Sequence, residues 1–317
     1  MTITQHSSSP LVAVVGATGG QGGSVVKALA ESDKPYRVRG FTRDVSKPAS
    51  VALKKQGVKM VQISLVEENK REVYQAFTGA DFTFLVTNFW EHMNVEKEIL
   101  EGKMLIDAAK AAGVRGIVWS GLPAVKKISG GKYSNVAHFD GKAVVTEYGR
   151  QSGVPFANVQ AAGYAQNFLT SPMMLAKQPD GTHAAAIAWC IRPTTVLPII
   201  DVENDYGLYV RRVIESPVFP DGVEVNTGED ITVGDLIRQL HRETITMKQL
   251  ATEECYSNFT AVGVPPATAT AMIDGLCFID EFGYYGGQPS SSTEGLGRPT
   301  RTWAEFVKQA DYSKVLA

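Results

Sequence analysis

No stretch of this chain is apolar over the roughly 18–20 consecutive residues that a bilayer demands, which argues against a membrane protein. Neither sign of charge dominates: 31 Lys and Arg stand against 33 Asp and Glu, for a net charge of −2. Without a basic run there is no electrostatic footprint for nucleic acid or acidic lipid, and direct contact with either is not expected. Cysteine is scarce. Cys190, Cys255 and Cys277 are odd in number, far apart and without C-x-x-C spacing, which excludes a disulfide framework and a zinc ribbon. Cys190 and Cys277 sit in apolar contexts and read as inert, buried, reduced thiols of a cytosolic protein. His6, His92, His183 and His241 have no metal-ligand spacing, so no metal site is expected. Residues 1–10 lack the apolar core of a signal peptide and read as a frayed tail.

Glycine, by contrast, is plentiful, with 30 residues, and three of them punctuate one junction. The buried-strand run Val12 to Val15 meets Gly16-x-x-Gly19-x-x-Gly22, and a helical pattern follows at once. Gly16 lets the chain leave the strand in a tight turn, Gly19 admits a bound group close to the backbone, and Gly22 lets helix pack on strand. Amide N–H groups and the positive end of the helix dipole at such a turn hold a pyrophosphate. The junction therefore reads as a dinucleotide cradle.

Strands and helices alternate from there. Strand patterns cover 36–42, 58–63, 82–87, 116–121 and 156–160, and helical patterns cover about 21–31, 49–56, 68–77, 95–112 and 139–151. Residues 126–132 read as a loop. Repeated strand–helix units predict an α/β Rossmann fold over residues 1–163, a doubly wound parallel sheet with its ligand beyond the carboxyl ends of the strands. Beyond Gly163 the rhythm fails. Residues 172–175 and 184–189 are apolar pieces, while a helix over 201–214 and a strand over 223–227 return to the main sheet. Thr232 and Thr302 each begin a capping box, the first for a helix to about residue 243, and 283–298 reads as a mobile loop. The prediction is a smaller, mainly helical, discontinuous C-terminal lobe built from 164–200 and 229–317, with 201–228 returning to the Rossmann domain.

Several side chains at the predicted strand ends carry chemistry. Arg43 directly follows the second strand, where an acidic residue would bind the ribose 2′-hydroxyl of NAD; a guanidinium there pairs with a 2′-phosphate and favours NADP. Asp44 takes the NAD role if the strand ends one residue later. Thr87, Asn88 and Phe89 end the fourth strand and face the cofactor, with Trp90 either beside them or in the core. The Ser120 hydroxyl, after the fifth strand, meets a substrate oxygen or caps a turn. His138 and Lys142 stand at i, i+4 on one helix face. In short-chain dehydrogenases the corresponding pair is Tyr-x-x-x-Lys, so here an imidazole replaces the phenol as a different acid.

Gly16-Ala17-Thr18-Gly19-Gly20-Gln21-Gly22-Gly23, Thr42-Arg43, the runs 86–91 and 102–109, Ser120-Gly121-Leu122 and the run 137–142 together resemble the NmrA-like family of atypical short-chain dehydrogenase relatives, most closely its redox-sensing branch. The likeness is strong from Leu11 to about Phe168 and looser after it. It implies NADP(H) as cofactor, with Gly16, Ala17, Thr18, Gly19, Gly20, Gln21 and Gly22 around the pyrophosphate. It further implies Arg43 at the 2′-phosphate, Lys142 at the nicotinamide ribose, and Tyr164 and Asn167 at the nicotinamide end. Such proteins commonly lack dehydrogenase activity and report cofactor state to protein partners, transcription regulators among them. Two departures concern the adenine and nicotinamide contacts: Gln160-Ala161-Ala162-Gly163 stands where the family often has Arg-x-Pro and an aromatic, and Ile63-Ser64 replaces Gly-Asp. Two functions stay open. One is a cytoplasmic NADP(H) redox sensor, monomer or homodimer, acting through partners with no catalytic residue assigned and nuclear location left open. The other is an NADPH-dependent reductase or isomerase of a small apolar or aromatic substrate, using Lys142, His138 and Ser120.

Overall fold

The computed structural model describes residues 3–170, 176–177, 183–184, 190–240 and 249–311. Apolar runs become strands, and each amphipathic stretch between them becomes a crossover helix. In chain order the first half comprises β1 (Leu11–Val14), α1 (Gly20–Ala30), β2 (Arg37–Thr42), α2 (Pro48–Lys55), β3 (Lys59–Gln62), α3 (Lys70–Phe77), β4 (Phe82–Leu85), α4 (Phe89–His92), α5 (Val95–Ala111), β5 (Gly116–Trp119), α6 (Val125–Ile128), α7 (Ala137–Arg150) and β6 (Phe156–Gln160). Then follow β7 (Gly163–Tyr164), α8 (Asn167–Thr170), β8 (Ala176–Lys177), β9 (His183–Ala184), β10 (Val196–Ile200), α9 (Tyr206–Glu215), β11 (Glu224–Asn226), β12 (Glu229–Thr232), α10 (Val233–Leu240), α11 (Thr252–Ala261), α12 (Pro266–Phe282) and α13 (Trp303–Gln309).

The main sheet has seven strands in the order β3-β2-β1-β4-β5-β6-β11, and every pairing in it is parallel. This is the Rossmann arrangement. β1, β4, β5 and β6 are buried at every position, as strands covered by helices on both faces must be. On one face α9 lies so close to α1 that a Cβ on Gly207 would fall 2.0 Å from the Ser24 carbonyl oxygen, and the Gly207 N–H donates to Ser24 Oγ at 2.9 Å. On the other, α5 and α7 meet through Gly102 against Val145 and Gly141 against Val95. β10 pairs in parallel with β7 and antiparallel with β12. Beneath that small sheet, Phe139, Phe168, Leu236, Phe278, Trp303 and Phe306 form a second core, which knits α7 to α10, α12 and α13.

Some local expectations are corrected. The 126–132 stretch opens with α6, anchored by fully buried Val125, because the apolar side chain finds a core position that the Lys and Gly content conceals. The tail is not frayed from Ile3 onward: Thr4 N–H donates to the Tyr36 carbonyl at 2.8 Å and Gln5 Nε2 to that of Gly57 at 2.6 Å. Residues 283–298 are irregular but tied down. Tyr285 donates to the Thr227 carbonyl at 2.8 Å, Ser291 N–H to that of Asn226 at 2.7 Å, and Arg211 to that of Leu296 at 2.7 Å. Thr302 and Glu305 form the expected reciprocal cap, and Thr232 Oγ1 accepts from Asp235 N–H at 3.1 Å. Residues 172–175 and 185–189, the predicted helix beyond Leu240 and His241 lie outside the described residues. Among the described residues no helix is long and apolar enough to cross a membrane.

Candidate dinucleotide site

Parallel strands place all their carboxyl ends on one edge of the sheet, and the segments leaving β1, β2, β4, β5 and β6 there carry Gly16, Arg43, Thr87, Ser120 and Tyr164. Gly16 has φ +66°, a left-handed conformation that a Cβ would strain, and its carbonyl accepts from Gly19 N–H at 2.8 Å. A Cβ on Gly22 would stand 2.2 Å from that same carbonyl oxygen. Ala17 is buried beneath the turn, while Thr18 and Gly19 face solvent and Gly20 opens α1. Gly19 caps α1 without a side-chain bond, and the first turn holds no acidic residue. The leading N–H groups of α1 thus have no carboxylate competing for them, as a phosphate cradle requires. Gln21 contributes only backbone to it, because its side-chain amide turns inward and donates to Ser120 Oγ at 2.7 Å. Ser120 is correspondingly buried.

Arg43 follows β2 directly and is exposed, its guanidinium ion-paired with Glu91 on α4. Asp44 is occupied by its own turn: Oδ1 accepts from Ser46 N–H at 2.8 Å and from Ser46 Oγ at 2.6 Å, which holds its carboxyl below the usual range. Of the two residues open to the cofactor's ribose in the sequence, Asp44 is engaged by Ser46, while Arg43 is exposed at the strand end.

Beyond β4, Asn88 is exposed and Thr87 is buried. Lys142 reaches Thr87 from α7, donating to its carbonyl at 3.0 Å and its hydroxyl at 2.9 Å, and lies 3.2 Å from Glu98 Oε1. Thr87 Oγ1 donates in turn to Glu98 at 2.8 Å. Burial lowers the Lys142 pKa, and the Glu98 carboxylate opposes that effect. Sequence reasoning found Lys142 and missed Glu98. The signal was present: Val95, Glu98, Gly102 and Leu105 share one helical stripe, and a carboxylate in an apolar stripe implies a buried partner. Glu91 was missed as a partner because it lies 48 residues from Arg43.

His138 sits among rings, its centroid 5.7 Å from Phe89, 5.1 Å from Trp90 and 4.9 Å from Phe139. Burial, and secondarily the Lys142 charge, lower its pKa to about 4, so the imidazole is neutral at pH 7. Its pKa in the unfolded chain is higher, near 6.5, so acid is taken up on unfolding. Stability should fall as pH drops from about 6.5 to about 4, by at most about 1.4 kcal/mol per unit. Urea melts across that window should show a shallower decline for His138→Phe; equal slopes for both chains would remove His138 as the cause.

The far end is closed by tyrosines. Tyr164 pairs with Ile200 in the small sheet, and burial pushes its phenol up to about 12. Tyr284 donates to the Ala161 carbonyl at 3.1 Å and lies edge-on to Phe139. Asn167 begins α8 and is exposed. Arg43, the turn, the Thr87–Lys142 pair and Tyr164 thus succeed one another along the strand-end edge.

The chain is 27% identical over 312 residues to an NmrA-like family domain-containing protein of Dictyostelium discoideum, covering 96% of this chain and 99% of that one. The crystal structure of NmrA, a negative transcriptional regulator, in complex with NADP superposes with a TM-score of 0.74 at 23% identity, covering 95% of each chain. The NADPH-dependent quinone oxidoreductase QOR2 of Escherichia coli, complexed with NADPH, also gives a TM-score of 0.74, at 20% identity over 94% of this chain and 98% of that one. At such identities these two likenesses concern the fold. The family model for NmrA-like proteins matches residues 8–307, and the chain belongs to the NmrA-like family.

Proposed function

We propose that this chain binds NADP(H) across the glycine turn and acts as a redox-responsive regulator through protein partners in the cytoplasm. The observation that carries the reading is Arg43, held at the end of β2 by Glu91 of α4. The turn suits the pyrophosphate, since Gly22 leaves no room for a Cβ, Gly16 holds a left-handed φ, and the first turn of α1 has no acidic residue. A 2′-phosphate offers Arg43 more charge than Glu91 does and takes the guanidinium from it. Glu91 is then released, and α4 repacks with Trp90, whose ring is 53% exposed. Cofactor occupancy thereby favours one arrangement of α4 over another, as a switch demands. The cofactor supplies hydride chemistry when bound; on the protein side, neutral His138 replaces the usual phenol and the Lys142 ammonium is committed to Thr87 and Glu98.

Arg43→Ala should weaken NADPH binding by about 10–100-fold and leave NADH binding unchanged, as read by calorimetry. Equal losses for both nucleotides would sink the 2′-phosphate assignment. Partner capture and limited proteolysis that are identical with and without NADPH would sink the regulatory role.

A second reading, an NADPH-dependent reductase, is favoured by the aromatic wall of Phe89, Trp90, His138 and Phe139, which suits a flat apolar substrate. Multiple-turnover NADPH oxidation with a panel of quinones discriminates the two, since a regulator consumes none beyond background.

A further inference from the structure

All three cysteines, scattered in the sequence, share one cluster. Cys190 and Cys277 bring their sulfurs to 3.7 Å across 87 residues of chain, and both pack on buried Cys255 with Leu250 and Ile273. The reading of Cys190 and Cys277 as buried thiols is corrected, since both are only half-buried. A small oxidant therefore reaches them, whereas Cys255 lies beneath. Among the described residues no group of three His, Cys, Asp or Glu side chains is arranged to hold a metal ion, which leaves sulfur–sulfur chemistry.

On the C-terminal side of Cys190 the chain is tied to α12. Two residues past Cys190, Arg192 donates through Nε to Asp280 Oδ2 at 3.0 Å and through Nη2 to the Asp280 carbonyl at 2.8 Å, while its N–H meets Oδ1 at 3.1 Å. Asp280 is one turn beyond Cys277 on α12. A disulfide needs sulfurs about 2.05 Å apart, so closure takes a shift of roughly 1.7 Å, within reach of side-chain rotation. The contact with Cys190, then burial, pushes the Cys277 thiol up, and either sulfur of the pair can donate to the other. Cys255 touches Cys190 too, though burial dominates and raises it. Cys190 is the sulfur that both neighbours contact.

We propose that Cys190 and Cys277 form a reversible intramolecular disulfide, a site oxidised by hydroperoxides and reduced by dithiols, which fastens α12 to the segment entering β10. One sulfur of the pair, as thiolate, attacks the outer oxygen of a hydroperoxide; the O–O bond breaks, an alcohol or water leaves, and that cysteine becomes a sulfenic acid. The other sulfur then attacks it, the S–O bond breaks, and water leaves with the displaced proton. Two electrons pass from the thiols to the peroxide, and a dithiol returns them by exchange. Since β10 pairs with the strand holding Tyr164, the bond stiffens the lobe beside the dinucleotide edge and gives the chain an oxidant input independent of nucleotide.

The test uses the full reduced chain without nucleotide: treatment with a few equivalents of hydrogen peroxide, alkylation of remaining thiols, and peptide mapping by mass spectrometry. The expected product is one Cys190–Cys277 cross-link per molecule, removed by dithiothreitol, with the melting temperature raised by roughly 5 °C. Cys255→Ser should keep the cross-link and Cys190→Ser should lose it. Recovery of all three thiols alkylated, of sulfinic acid without cross-link, or of cross-links only to Cys255 or between molecules overturns the proposal. The wild-type map alone decides even if a variant misfolds, and because nucleotide is absent, the outcome is separate from that of the cofactor reading.

Discussion

Lys142→Met should destabilise the protein by about 3–5 kcal/mol, because it strands a carboxylate that folding has removed from water. Glu98 is 2% exposed, and the Lys142 ammonium beside it is its sole cationic neighbour within ion-pair distance among the described residues. Removing both charges avoids the penalty, so Lys142→Met with Glu98→Gln should recover most of the loss. Urea unfolding of the two single variants and the double variant gives the coupling directly. A single variant as stable as the parent would mean that Glu98 is protonated or hydrated and that the pair contributes nothing. The consequence for function is practical. Under the proposed ribose role of Lys142, loss of nucleotide binding in Lys142→Ala would mix a missing contact with a weakened fold, whereas the compensated double variant isolates the contact.

Gly22→Ala should reduce NADPH binding by at least about 100-fold while costing about 1–3 kcal/mol or more in stability. The added methyl would lie 2.2 Å from the Gly16 carbonyl oxygen, 2.4 Å from its carbon and 2.7 Å from the Val15 carbonyl oxygen. All three are backbone atoms of the turn itself, so the only relief is to lift α1 off β1 and carry the N–H groups away from the phosphate position. The neighbouring Gly23→Ala is the control. There the nearest contact, 3.5 Å from the Ala17 carbonyl oxygen, is ordinary, and alanine suits a helix interior better than glycine. If both variants bound NADPH like the parent, the turn would not be the dinucleotide site.

The main sheet was legible because its signals are local. Strands buried on both faces need continuous apolar runs such as 82–85, and the glycine junction is written in seven consecutive residues. The candidate site was legible where a residue sits on the turn or at a strand end, as Gly16, Arg43 and Thr87 do, and at Lys142, where the i, i+4 spacing on α7 marks the position. What escaped depends on pairings at long range. Glu91 matters because helix α4 folds back toward the end of β2, and the cysteines matter because α12 returns to the start of β10. Spacing along the chain carries no trace of such meetings. Composition misled in the 283–298 strap, where Gly, Ser and Pro suggested mobility. Its order comes from donors elsewhere, chiefly Arg211 and Arg212 of α9.

The contact between α1 and α9 also governs how the protein comes into being. The Gly207–Ser24 bond spans 183 residues, so the side of α1 that meets α9 stays uncovered until two thirds of the chain has been synthesised. The dinucleotide half therefore cannot finish folding as it emerges from the ribosome. It waits, with apolar surface bare, for a helix encoded far downstream, so its closure is a contact of high sequence separation.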